Sequence, residues 1–269
     1  MGLLYSSVSG VLEAGFRVTG VDLTVEGVEH IPASGPVIIA SNHIGYLDFA
    51  FVMLSPPRPR REVAFLARGD LFERRFIGQA LHALGQIPVD EHGDPAATLR
   101  TAREHLERGG IVGLHPEGTV NPTFLPIRGK SGAIRLSQQT GAPIVPTSVW
   151  GSQRLLTKWR PAAWPERGID VRVTYGEPYL PPAGPASGST RELMARITTL
   201  VERAIAEEGA APGAWWVPAE HGGGAPRLAE VDSRLEAQVA ERRERRRGVR
   251  GTPSGDGSDR PDPSESRPG

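Results

Sequence analysis

An α/β fold is predicted by three observations. Short apolar runs suited to buried strands recur along the chain, amphipathic stretches separate them, and glycine or proline marks most of the joins. The first element is a helix over residues 3–18, where Leu3, Leu4, Tyr5, Val8, Val11, Leu12, Phe16 and Val18 recur at spacings of three and four. Such a stripe fits a helix packed on the core and equally one lying in a membrane surface. Val37-Ile38-Ile39-Ala40, after Gly35-Pro36, reads as a buried strand. Asp94 as N-cap and Pro95 in the first turn open a helix with Ala96, Leu99, Ala102 and Leu106 on one face, and Gly109-Gly110 stops it. Ile111–Leu114 is the next strand, and residues 130–140 form a helix closed by Gly141. Residues 144–150 and the alternating Ile169, Val171, Val173 and Tyr175 are strands. Ser189 with Glu192 reads as a capping box for a helix carrying Leu193, Ile197, Leu200, Val201 and Ile205 up to Gly209.

Composition removes several classes of function. The 269 residues contain no cysteine, which excludes disulfides, Cys-ligated metals and a thiol nucleophile. Lys+Arg and Asp+Glu both number 31, so bulk charge gives no reason to expect nucleic acid as a partner. The longest apolar run is the six residues Phe49–Leu54, far short of the roughly 18 that a spanning helix needs. The first basic residue is Arg17, so no basic n-region of a secretory leader is read. Hydrophobic content is 38%, low enough to place some segment outside the core. That segment is expected at the C-terminus. Residues 1–217 are read as one catalytic domain. Residues 218–247 are read as a linker around Gly222-Gly223-Gly224 followed by a charged helix. In 248–269, Gly and Pro make up 9 of 22 residues, and this tail is expected to be disordered.

Two short constellations carry chemistry. In Asn42-His43-Ile44-Gly45-Tyr46-Leu47-Asp48, a His and an Asp stand five residues apart just after a buried strand. The pairing suits a general base and the carboxylate that fixes its tautomer. Positions i and i+5 are about 140° apart on a regular helix, so the two meet only across a turn or a helix start. Leu114-His115-Pro116-Glu117-Gly118-Thr119 places a carboxylate and a Gly-Thr turn where another strand ends, a common location for α/β sites.

Taken with two further blocks, these resemble the phosphate acyltransferase family typified by lysophosphatidic acid acyltransferases. The resemblance spans roughly residues 20–180. The second block is Ala67-Arg68-Gly69-Asp70-Leu71-Phe72 with Gly78 and Gly85-Gln86-Ile87-Pro88-Val89-Asp90, and the fourth is Ala142-Pro143-Ile144-Val145-Pro146. The resemblance implies a mixed sheet flanked by helices and an O-acyltransferase. It implies His43 as base and Asp48 as its partner in an HX4D motif, acting on a lysophospholipid, most simply 1-acyl-glycerol-3-phosphate. It implies acyl-CoA or acyl carrier protein as co-substrate, with no metal and no other cofactor, and direct transfer without an enzyme nucleophile. Asn42, Glu117, Gly118 and Thr119 would line the acceptor site. A peripheral or monotopic position on the cytoplasmic face of the plasma membrane follows from lipid substrates.

Two departures bear on the acceptor. The family's second and third blocks end in Arg, where this chain has Glu91 and Val120, and Arg74-Arg75 replace an apolar residue and Pro. Either Arg68, Arg128 and Lys130 supply the phosphate grip, or the acceptor is another lysophospholipid, a glycolipid or an amino-acid lipid. A lipid-binding paralogue without activity and a thioesterase-like hydrolase are the remaining alternatives. Arg154, Lys158-Trp159-Arg160, Trp164 and Trp215-Trp216 read either as membrane contacts or as ordinary packing.

Overall fold

The computed structural model describes residues 3–55, 61–89, 95–161, 168–209 and 212–234. Asp90, Glu91, Asp94, Trp164, the charged helix beyond residue 234 and the tail 248–269 lie outside the described residues.

The helices are α1 (Leu3–Val18), α2 (Asp48–Leu54), α3 (Gly69–Phe72), α4 (Arg75–Ala83), α5 (Pro95–Glu107), α6 (Gly132–Thr140) and α7 (Ala186–Glu208). The strands are β1 (Val21–Glu26), β2 (Val37–Ser41), β3 (Val63–Arg68), β4 (Ile87–Val89), β5 (Ile111–Leu114), β6 (Ile144–Trp150) and β7 (Ile169–Tyr175). They form one seven-stranded sheet in the order β1-β7-β6-β2-β5-β3-β4. Every neighbouring pair is parallel except β6 and β7, so β1 and β7 run against the other five and the sheet is mixed.

Successive side chains of a strand point to opposite faces, and both faces are covered here. In β2, Val37 and Ile39 join a core with Phe51, Val52 and Met53 of α2 and Tyr5 of α1. Ile38 and Ala40 join the opposite core, with Leu106 of α5, Ile134 of α6 and Leu193, Ile197 and Val201 of α7. Burial on both faces explains why the central strands are continuous apolar runs. In β7 the residues Ile169, Val171, Val173 and Tyr175 all face one core, which is the alternation visible in the sequence.

The helix over 3–18 forms as expected, and it satisfies both readings in part. Tyr5 is buried, whereas Val11 and Val18 are 72% and 80% exposed. The capping box is a correction. α7 starts three residues before Ser189, after Pro185, and Ser189 is buried inside the helix. Glu192 instead pairs with Arg196 one turn on, at 2.8 Å. The chain divides into two compact units, Met1–Arg227 and Leu228–Gly269. Gly222–Gly224, expected as a linker, belongs to the first. Gly223 N–H donates to Pro218 O at 3.0 Å and Gly224 N–H to Ala214 O at 2.9 Å. Of the second unit, residues 228–234 are described, and they are helical.

Candidate active site

β2, β3 and β5 are mutually parallel through β5, so their C-terminal ends open on one edge of the sheet. Open α/β sheets bind ligands beyond that edge. β2 delivers Asn42 and His43 there, β5 delivers residues 115–119, and β3 delivers Arg68.

The five-residue spacing of His43 and Asp48 is resolved by a turn, with Asp48 as the first residue of α2. Asp48 is fully buried. Its Oδ2 accepts the His43 ring Nδ1–H at 2.9 Å, Ile44 N–H at 2.8 Å and Gly45 N–H at 3.0 Å. Its Oδ1 accepts the Ser152 hydroxyl. Four protein donors thus converge on this buried carboxylate. The Asp48 contact places the proton of His43 on Nδ1 and leaves the lone pair on Nε2. Among the described residues Nε2 has no hydrogen-bond partner, and the imidazole is 18% exposed. Gly45 is required by the close approach of Ser152, whose Oγ would lie 2.9 Å from a Cβ there.

Glu117 ties this turn to β5. It is buried, and its Oε1 accepts the backbone N–H of His43 at 2.9 Å. Its Oε2 accepts Asn121 Nδ2–H at 3.1 Å and Ile127 N–H at 3.2 Å. Burial nevertheless pushes its carboxyl up to about 8 against those three donors, with Asp48 adding like-charge repulsion. Glu117 is thus a brace for the base. Both of its oxygens accept from protein donors.

Asn42 is held in a similar way. It is fully buried, its Oδ1 accepts Val149 N–H at 2.7 Å, and its Nδ2–H donates to Val149 O at 2.9 Å. It extends the β2–β6 ladder by one side-chain rung. Asn42→Ala leaves a buried N–H and C=O of Val149 unpaired. A loss of about 2–4 kcal/mol is expected in denaturant unfolding.

Gly118 turns with φ +67, and a Cβ there would lie 2.6 Å from Lys130 Nζ. Lys130 therefore lies across this turn, anchored by its own N–H to Pro116 O at 2.8 Å. Lys158 reaches the same turn from beyond β6, its Nζ donating to Thr119 Oγ1 at 3.3 Å. Thr119, Lys130 and Lys158 are thus brought together. Arg128 is exposed on the strand-like approach to Lys130. Arg68 is engaged elsewhere, its guanidinium forked onto Asp70 at 3.0 and 2.8 Å. Val120 is buried, so the side chain at this position packs inward.

Sequence reasoning missed three residues of the site and left one undecided. His115 stacks face to face on His43, ring centroids 4.0 Å apart and planes within 3°. Its Nδ1 lies 3.0 Å from Asn42 O and 3.0 Å from Ser41 Oγ. Burial, and next the neighbouring His43, holds its protonation well below the usual histidine range, so it is a neutral platform. Asn121 was signalled only by the Asn-Pro turn pair. It donates its backbone N–H to His43 O at 2.7 Å. Ser152, far away in sequence, gave no local signal. Lys158 was left between a membrane contact and ordinary packing. Trp215 and Trp216 pack on the core, against Phe124 and Trp150 respectively, with Arg160 and Arg154 over their rings at 4.2 and 4.7 Å. Packing is therefore the reading they satisfy.

Residues 22–150 match the family model described as Acyltransferase. The chain is 28% identical over 182 residues to the 1-acyl-sn-glycerol-3-phosphate acyltransferase of Bacillus subtilis (strain 168), covering 66% of this chain and 84% of that one. It is 28% identical over 138 residues to a chloroplastic enzyme of the same description from Arabidopsis thaliana, covering 50% of this chain and 37% of that one. The crystal structure of the 1-acyl-sn-glycerophosphate acyltransferase PlsC from Thermotoga maritima superposes with a TM-score of 0.63 at 25% identity, over 77% of this chain and 80% of that one. With its mixed sheet and the His43–Asp48 pair at the sheet edge, the chain carries an acyltransferase domain at residues 22–150, is similar over most of its length to 1-acyl-glycerol-3-phosphate acyltransferases, and is an O-acyltransferase.

Proposed function

We propose that the chain moves a fatty acyl group from acyl-CoA or acyl carrier protein to the free hydroxyl of 1-acyl-glycerol-3-phosphate, giving phosphatidic acid, at the cytoplasmic face of a membrane. The observation that carries the chemistry is the open Nε2 of His43, backed through Nδ1 by buried Asp48. In this reading Nε2 takes the acceptor's hydroxyl proton as its oxygen attacks the thioester carbonyl. The C–S bond then breaks as the new C–O bond is completed, and the proton leaves with the thiol. Asp48 stabilises the imidazolium that forms in between, and neutral His115 adds no second positive charge beside it.

The printed activity of the relatives supports a lysophosphatidic acid acceptor. Lys130 and Lys158, converging at Thr119, replace the cations missing at positions 91 and 120. Arg128 is the nearest reserve. Lys130→Ala and Lys158→Ala should each raise KM for the phosphate-bearing acceptor about tenfold with a smaller change in kcat, since a charge-assisted contact is worth about 1.5–3 kcal/mol. A second reading, a different lysolipid as acceptor, is favoured by Val120 facing inward and Arg68 being held by Asp70.

One experiment separates the two. Thiol release from long-chain acyl-CoA and from acyl carrier protein is followed with lysophosphatidic acid and with neutral or zwitterionic lysolipids. Release that depends on lysophosphatidic acid supports the first reading. Release only with another lysolipid moves the acceptor, and release without any acceptor makes the chain a hydrolase.

A further inference from the structure

Among the described residues two aromatic side chains are strongly exposed, Tyr46 at 47% and Phe76 at 77%. Both lie at the same edge of the sheet as His43. Tyr46 is in the turn that follows β2. Phe76 is the second residue of α4, which starts seven residues after β3 ends. Because α4 leads back to β4, itself parallel to β3, its N-terminal turn stands at the C-terminal edge of these strands.

Ile77 is also exposed, at 44%, so two large apolar side chains stand adjacent on the outer face of α4. The inner face holds buried Gly78 and Leu81. α4 is seated firmly there, since a Cβ on Gly78 would fall 2.0 Å from Phe72 O. Arg74 and Arg75 precede the pair and are exposed, with the Arg75 guanidinium 5.6 Å from the Phe76 ring centroid. Of the other charges here, Arg68 and Asp70 are paired with each other, and Glu73, next to Arg74 in sequence, is exposed. α1 packs against α4, and Val11 and Val18 of α1 are also exposed.

We propose that Phe76 and Ile77 form a wedge that inserts into the interfacial layer of an anionic phospholipid bilayer, with Arg74 and Arg75 on the headgroups, and that this seats the catalytic edge on the membrane. Exposed apolar side chains lose affinity for water on insertion, and each arginine near an anionic surface adds attraction. The wedge places the mouth of the site where an acceptor such as a lysolipid resides, so it rests on the reading of the substrate as a bilayer lipid. That link supplies the occupant: a lipid surface in place of a second copy of the chain.

The test is co-sedimentation of the full chain with phosphatidylcholine vesicles, with and without phosphatidylglycerol, in the absence of any reaction. The double variant Phe76→Asp/Ile77→Asp should lose roughly tenfold to hundredfold in partitioning. Arg74→Glu/Arg75→Glu should lose the response to phosphatidylglycerol. Thiol release with a water-soluble short-chain acceptor should be unchanged in the apolar variant, which also reports that it is folded. Phe76→Ser/Ile77→Ser repeats the test without added charge. Unchanged partitioning of both apolar variants overturns the proposal. So does a shift of the wild type from dimer to monomer in the variants, which would make the patch a self-association surface. If the wild type binds vesicles through Phe76 but transfers no acyl group to any lysolipid, the wedge stands and the substrate reading fails.

Discussion

His43→Ala should lower acceptor-dependent thiol release by a factor of about 10²–10⁴, the range typical of a positioned general base. The fold should survive this change. The imidazole is partly exposed, and the backbone N–H and C=O of residue 43 keep their partners Glu117 and Asn121. Asp48→Ala should also remove activity, by a different route. It strips the acceptor from two backbone N–H groups and from the Ser152 hydroxyl, all inside the protein. A stability loss of about 3 kcal/mol or more should therefore accompany it. Circular dichroism melts alongside the rate measurement separate the two. Loss of rate in His43→Ala with an unshifted melt is the expected result. Retained transfer in that variant would remove His43 from the mechanism.

Glu117→Gln should have the second largest effect, on stability and rate together. The carboxyl accepts three N–H donors, and an amide offers one oxygen and one NH₂ group in the same space. Either the His43 N–H, or the Asn121 and Ile127 N–H groups, then faces an N–H of the amide. A loss of about 1–3 kcal/mol and a fall in rate of about tenfold to a hundredfold are expected, because the tether of the base to β5 is loosened. The pH dependence carries a sharper signature. Glu117 is raised from 4.5 to about 8 on burial. Between those values the folded chain keeps a proton that the unfolded chain has released. The folded state binds more protons there, so its stability falls as pH rises, by at most about 1.4 kcal/mol per pH unit. The contribution of this group is full below 4.5 and gone above 8. The glutamine variant has no such proton, so its stability relative to wild type should improve steadily across that window. Denaturant midpoints of both proteins, measured from pH 5 to pH 9, check the slope. A difference that does not vary with pH would mean that Glu117 is ionised throughout.

The parts of this protein that were legible in its sequence are those set by local rules. The strands 111–114, 144–150 and 169–175 follow from apolar patterning, and the helix ends at Gly141 and Gly209 follow from the left-handed conformation glycine adopts there, φ 70 and 65. The His43–Asp48 pair was legible for a related reason: both partners lie on one turn. β1, β3 and β4 were not read as strands. Their patterns are short or mixed, as in Val21–Glu26, and they depend on neighbours distant in sequence to become strands at all. The same holds for the site. Asn42 and Glu117 were placed near substrate because polar residues in a motif invite that reading. Their partners, Val149 for one and His43 for the other, lie 107 and 74 residues away and turn both into bracing groups. His115 was in view but unassigned, because a stack between rings 72 positions apart in the chain has no periodicity to announce it.

Those separations also bear on when the enzyme becomes an enzyme. The base and its carboxylate are five residues apart, but the carboxylate is completed by Ser152, 104 residues later. Contacts of such long range close late, since loop entropy has to be overcome before they repay it. A nascent chain that has emerged only as far as β5 has the imidazole and its acid, yet lacks the hydroxyl and the β6 ladder that hold them in register. The His43–Asp48–Ser152 cluster is in this way completed only in step with the central sheet.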